Sequence, residues 1–344
     1  MGLADLVAVL LFVGVIAYAL FGGADFGCGF WDLTAGDADR GAHLRHQIDK
    51  SIGPVWEANH VWLIYILVFL WTAFPEPFAA IMNTLFVPWL IVGLGIVLRG
   101  GAFAFRKFSS SFGEARLHGV MFATSSIITP FFLGMIAGAI ASGRVPADGT
   151  GELLSSWTGP VSWIGGVLAV LTTTFLAGTF LAADARRSGN EDLAHEVGRK
   201  SLVAGAVTGV VALGAAVIIE VDAPTLASGL HGRGLPIILT SAVAGSWSVW
   251  RLWSKDYAQA RIGAIIAVAS IVIGWGIGQY DWILVNEVTI EQGIGARSTQ
   301  IGLVIVFALA AITAVPALIW LYVLVNSDRW SKDVPRSDDV TIDV

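Results

Sequence analysis

Four side chains in two short stretches could handle protons. In SIGPVWEANHVWLIYILVF, residues 51–69, Glu57 stands at the mouth of a long uncharged run, with Asn59 and His60 just behind it. In FGGADFGCGFWDL, residues 21–33, Asp25 sits among four glycines in eight residues. Carboxylates and an imidazole at the edge of a low-dielectric slab can take up and release protons, and an amide adds a hydrogen-bonding station that never ionises. Pro54 suits the first turn of a helix, because its missing N–H would be unpaired there anyway. Glu57 then falls in that turn, and His60, three residues on, shares its helix face. Each group also has a plainer reading. Glu57 could be an anion held by the helix dipole, Asp25 a cap or turn residue, and His60 a satisfied interior imidazole.

The elements that carry these residues are membrane helices. Charged residues make up 13% of the chain and hydrophobic ones 56%, whereas soluble domains carry about 25% charge. Uncharged windows cover residues 6–24, 58–75, 77–98, 117–143, 153–183, 201–219, 234–250, 262–280 and 298–327. Most reach the roughly 17–25 residues that cross a bilayer as a helix. The expectation is an all-α integral membrane protein with nine spans. Of the 20 Lys and Arg residues, all but Arg144, Arg233 and Arg297 fall in the segments after odd-numbered spans. Basic residues stay in the cytoplasm, so the N-terminus is expected outside and the C-terminus inside. The opening MGLADL lacks the basic start of a signal peptide, so the first span is expected to remain.

Residues 1–326 read as a single nine-helix domain and 327–344 as a short polar cytoplasmic tail. Nine helices divide naturally into two four-helix bundles plus one additional helix. Residues 22–53 read as the one long loop, with glycines that let backbones approach closely or let the first helix unwind. Pro88, Pro130 and Pro316 fall inside windows and predict kinks. Glu220, Asp222 and Glu287 read as solvated residues of the outer face. The lone Cys28 excludes an intrachain disulfide, and a net charge of −6 gives no footprint for nucleic acid.

GADFGCG and IGPVWEANHVWL together resemble signature segments of subunit II of the cytochrome bd-type quinol oxidases. LRGGAFAFR, residues 98–106, and the nine-span length extend the likeness over most of the chain. The resemblance implies a terminal oxidase of the aerobic respiratory chain, in a bacterial cytoplasmic membrane, that oxidises quinol and reduces dioxygen to water. It implies that haem b and haem d are held by a larger partner, subunit I, in a heterodimer with this chain. It leaves room for a small single-helix accessory subunit and a structural quinone. By motif position Asp25 and Glu57 match acids of a cytoplasmic proton path, with Asn59 and His60 beside them. The chain departs from the family pattern at Gly22, commonly an acid, at Ala24, commonly Phe, and at His60, a Gln in other members. Glu57 replaces the Asp of some members.

The ligand inventory agrees with a chain that ligates no haem and no metal. Haem iron takes axial His, Met or Cys, and His60, His118, Met82, Met121, Met135 and Cys28 form no convincing pair. Two other classes use similar residues. A proton-coupled secondary transporter should show matched broken helices in its two halves, whereas the inner prolines here lack counterparts. A haem-free structural membrane subunit would need neither Asp25 nor Glu57.

Overall fold

The computed structural model describes residues 2–37, 40–52, 56–106, 108 and 111–325, without the side chains of Glu57, Phe112, Tyr322 and Val325. Pro54, the Glu57 carboxylate and the tail 327–344 therefore lie outside the described residues. Helix α1, Leu3–Ala17, continues through a π-helical turn, Tyr18–Gly22, into α2, Gly23–Leu33. Then follow α3, Ala42–Ile52; α4, Trp56–Ala73; α5, Pro75–Thr84; α6, Phe86–Arg106; and α7, Phe112–Ala141. The second half holds α8, Pro160–Arg187; α9, Glu191–Asp222; α10, Pro224–His231; α11, Leu235–Trp253; and α12, Tyr257–Gly278. A small antiparallel hairpin, β1 Trp282–Leu284 and β2 Val288–Thr289, leads through α13, Ile290–Gly293, to α14, Arg297–Val325.

Among the described residues seven helices are long and apolar enough to cross a membrane. They are Leu3–Leu33, Phe86–Arg106, Gly113–Ala141, Pro160–Arg187, Glu191–Asp222, Tyr257–Gly278 and Arg297–Leu321. The other two sequence windows hold α4, whose apolar stretch is only Ala58–Ala73, and α11. The latter has 19 residues and dilutes its apolar ones with Ser241, Ser246, Ser248 and Arg251.

The chain forms two compact units, Met1–Gly295 and Ala296–Val344, and α14 is the described helix of the second. In the first unit α2 packs on α7 and α8, and α8 packs in turn on α9 and α12. Helix α11 closes that group against α9 and α12, while α4 lies on α1 and α6 on α7. Trp31, Phe122, Leu176, Leu181 and Ala260 are buried at the centre.

Lipid is as apolar as leucine, so membrane helices associate through close packing of small residues. Gly27 shows how tightly α2 meets α8, because a methyl group there would overlap the carbonyl oxygen of Thr173. Gly134 of α7 is pressed in the same way against the Gly165 carbonyl of α8.

Several expectations change. Residues 22–53 are not a loop, since they contain all of α2 and α3. The glycines do not unwind the first helix. One turn widens at Tyr18–Gly22, where the Gly23 N–H reaches back five residues to the Tyr18 carbonyl, and the helix then runs on to Leu33. Pro88 produces no mid-helix kink, because the window breaks at Leu85 and Pro88 lies in the first turn of α6, where no N–H is needed. Pro130 and Pro316 do lie inside α7 and α14. Asp222 is no free surface acid. It bonds Arg144 at 2.5 Å and accepts the Val161 N–H at 3.0 Å, joining the end of α9 to the start of α8.

Gly27→Ala should lower the thermal midpoint of the purified protein, as overpacked sites do at a cost of about 1–3 kcal/mol. Gly101→Ala, with open space around the added methyl, should leave it unchanged or raise it slightly. Equal midpoints for the two variants would show that the α2–α8 contact yields easily.

Candidate functional site

Asp25 opens α2 and is only 1% exposed. A carboxylate so enclosed needs a charged partner and hydrogen bonds to offset desolvation. Arg99, from the middle of α6 and also 1% exposed, donates Nη2 to Asp25 Oδ1 at 2.6 Å and to the Asp25 carbonyl at 3.2 Å. Its Nε donates to Ser126 Oγ of α7 at 3.0 Å. The guanidinium carbon lies 5.2 Å from the Phe26 ring centre and 4.9 Å from that of Phe122, so cation–π contact covers it on both rings. Gly29 makes the arrangement fit, because a methyl group there would occupy the place of the Ser126 side chain.

His60 approaches the same cluster from α4. Its Nδ1 lies 2.9 Å from the Trp56 carbonyl, which can only accept, so Nδ1 carries the proton and Nε2 is the bare nitrogen of the neutral ring. The ring centre is 5.7 Å from Phe26, 6.3 Å from Tyr18 and 6.4 Å from Trp56. Asn59 is buried on the next position of α4, and among the described residues no hydrogen bond ties it to Asp25 or His60. Glu57 stands one turn before His60 on the same helix, about 4.5 Å along its axis.

A second ionic group lies beyond the first. Asp32, two turns and about 10 Å further along α2, accepts Arg45 Nε of α3 at 2.9 Å and Arg106 Nη1 of α6 at 2.7 Å. Asp184 of α8 accepts the Ser51 hydroxyl at 3.1 Å and an Arg261 N–H of α12 at 3.2 Å. These contacts join five helices, α2, α3, α6, α8 and α12, through basic residues that the sequence assigned to one face.

The structure brings Asp25 and His60 together and adds three residues that the sequence did not flag. Arg99 counted there as a loop cation because it ends an uncharged window, whereas it is an interior partner. The spacing signal was present, since LRGGAFAFR puts Arg99 seven residues before Arg106, on the same helix face. Ser126 and Tyr18 gave no signal, being unexceptional residues within apolar runs. The His60 ring packs edge-on against Tyr18, Phe26 and Trp56. His195 meets the Tyr257 hydroxyl at 3.3 Å near the surface, and Met135 is fully enclosed by helix packing. No group of three or more His, Cys, Asp and Glu suited to a metal exists among the described residues.

Comparison with known proteins gives one direction. The profile of the cytochrome bd terminal oxidase subunit II family matches residues 3–325. A putative cytochrome bd menaquinol oxidase subunit II of Bacillus subtilis (strain 168) is 25% identical over 346 residues, covering 94% of this chain and 96% of that one. A cytochrome bd ubiquinol oxidase subunit 2 of the same organism is 29% identical over 170 residues. That second match spans about half of each protein, 48% of this chain and 49% of the relative. The solved bd oxidase from Geobacillus thermodenitrificans contains a chain of the same fold, with a TM-score of 0.79 at 22% identity. The match covers 94% of this chain and 98% of that one.

Arg99→Met would strand a buried carboxylate, and breaking such a pair costs about 3–5 kcal/mol. The thermal midpoint of the purified protein should fall accordingly, and adding Asp25→Asn should recover most of the loss. A double variant as unstable as Arg99→Met alone would place Arg99's contribution in its stacking on Phe26 and Phe122 instead.

Proposed function

The chain belongs to the cytochrome bd terminal oxidase subunit II family, and we propose that it supplies the cytoplasmic proton path of a bd-type quinol:oxygen oxidoreductase while supporting assembly with a larger haem-bearing subunit I. It is a multi-pass protein of a bacterial membrane. We place its N-terminus outside and its C-terminus in the cytoplasm, with the windows at α4 and α11 spanning as well, so that nine helices cross. Haem b and haem d belong to the partner, where dioxygen is reduced, and this chain ligates neither. Quinol is the electron donor of the complex. A structural quinone between helices and a single-helix accessory subunit are compatible with the apolar outer faces.

The observation that carries the reading is the buried constellation itself. Reducing one dioxygen to two waters consumes four protons, and drawing them from the cytoplasm conserves energy across the membrane. Hydrocarbon conducts no protons, so the route needs titratable or hydrogen-bonding stations inside protein. Glu57 receives the proton at the mouth of α4. Asn59 and His60 follow it within one turn, and Asp25 lies across from His60 on α2. Arg99 keeps Asp25 in place while holding it by a single oxygen. A bare imidazole nitrogen can accept a proton and release it again, which suits a station between two carboxylates.

A purified complex should show haem bands together with a co-purifying larger membrane subunit, and a haem-free single chain would favour a transporter. Glu57→Gln keeps size and hydrogen bonding but cannot ionise. It should assemble with haems present and turn over about 10²-fold more slowly with quinol and oxygen, in the range for lost acid–base groups. Glu57→Asp should keep much of the activity, and Asp25→Asn should slow turnover in the same way. Wild-type turnover with an intact proton gradient in Glu57→Gln would reduce Glu57 to a helix-end carboxylate.

Topology gives a separate check. Reporters after Val344 should score as cytoplasmic, and a tag before Met1 should be reachable from outside. Both ends on one side would exclude nine spans.

A further inference from the structure

Tyr18 belongs to neither stretch singled out by sequence, yet its hydroxyl is an unused polar group beside the site. The residue is buried, and Oη has no hydrogen-bond partner among the described residues. Asp25 Oδ2 and His60 Nε2, on residues of the same cluster, share that condition. An enclosed polar atom without a partner is costly, so three together call for something that bonds them.

The rings define where that would be. Tyr18 and His60 lie 6.3 Å apart between ring centres at 73°, and both pack edge-on around Phe26, at 6.2 and 5.7 Å. The charges of Asp25 and Arg99 both bear on the Tyr18 hydroxyl. The backbone brings Tyr18 there through the π-helical turn, a feature that often marks functional sites. The ring then lies across Gly22, where a methyl group would come within 2.7 Å of it.

Donors and acceptors match a single water. Asp25 Oδ2 and His60 Nε2 can each accept, and the phenol can donate. One water can donate to the first two and accept from the third, within the two to four bonds that a buried water makes. We propose that Tyr18 is a water-positioning residue of the proton path, holding a water between Asp25 Oδ2 and His60 Nε2 through which a proton passes. In that step the water takes a proton from one of its two acceptor sites when that site is protonated and gives another to the second. The water ends as water, and Tyr18 keeps its own O–H throughout. The charge moves by one station and no bond to carbon changes. This inference rests on the proton-path reading above.

Tyr18→Phe removes one oxygen and keeps the ring, so packing around Phe26 is preserved. The complex should assemble normally with an unchanged quinol KM. Its kcat should fall about tenfold, the lower end of acid–base effects, and the slowing in deuterium oxide should grow because proton transfer now limits turnover. A Tyr18→Phe enzyme with wild-type kcat would overturn the inference. So would a loss of kcat with an unchanged isotope effect, since that is the signature of loosened packing. Asp25→Asn, measured beside it, separates the two levels. If Asp25→Asn is slow and Tyr18→Phe is not, only the role of Tyr18 fails. If both match wild type, the path through this site fails.

Discussion

A carboxylate and a guanidinium, each 1% exposed, face one another at 2.6 Å inside a helix bundle made for lipid. Taking either ion out of water costs several kcal/mol, and the attraction between them offsets this only with good geometry and further hydrogen bonds. The surrounding sequence provides both. Ser126 takes the guanidinium Nε, Phe26 and Phe122 cover its ring-facing sides, and Gly29 leaves room for Ser126 to reach it. Removing one member leaves the others with a charge that nothing nearby can absorb. The pair therefore sets the relative position of α2, α6 and α7, the three helices that meet at it.

Close helix approach is the means by which such a pair becomes possible in a membrane. Association in lipid gains little from apolar surface, so backbones must come near enough for dispersion and interhelical hydrogen bonds to act. Gly27 against Thr173 brings α8 onto the other side of α2, and the Trp31 indole then donates to the Thr174 carbonyl at 2.9 Å. Helix α2 is thus held on both sides, and Asp25 on its first turn is held with it. The ion network of Asp32, Arg45 and Arg106 fixes the other end of the same helix against α3 and α6.

Much of this was legible in the sequence for a simple reason. Long uncharged windows report apolar helices, and seven of the nine coincide with a helix long and apolar enough to cross a membrane among the described residues. Asp25 and His60 stood out because an ionisable group beside an apolar run is expensive. What stayed hidden was how the charges pair. An uncharged window ends wherever a charge occurs, so Arg99 reads as the edge of a helix, although an arginine paired with a buried aspartate is as interior as a leucine. The same rule turned residues 22–53 into a loop, because it could not see that Asp32 and Asp25 are paired with arginines from within helices. Pro88 misled in another way, since a break at Leu85 moved it from a helix interior to a first turn. Tyr18 and Ser126 carry no sequence signal, because a hydroxyl within an apolar run means something only once its neighbours are known.

The one-sided grip of Arg99 on Asp25 bears on what the site can do. A bidentate arginine would occupy both carboxylate oxygens and leave an inert structural pair. Here Nη2 binds Oδ1 and the Asp25 carbonyl, while Nε is turned away to Ser126. The fork is spent on three different atoms, so Oδ2 keeps its lone pairs. The same economy holds at His60, where the Nδ1 N–H donates to the Trp56 carbonyl and Nε2 has no partner among the described residues. In both residues one polar atom is fixed by the helix framework and the other is buried without a partner among the described residues. Rigid anchoring on one side with reactivity on the other is what a relay station requires, because a group free to rotate loses the geometry of transfer and a fully bonded one has nothing to transfer with.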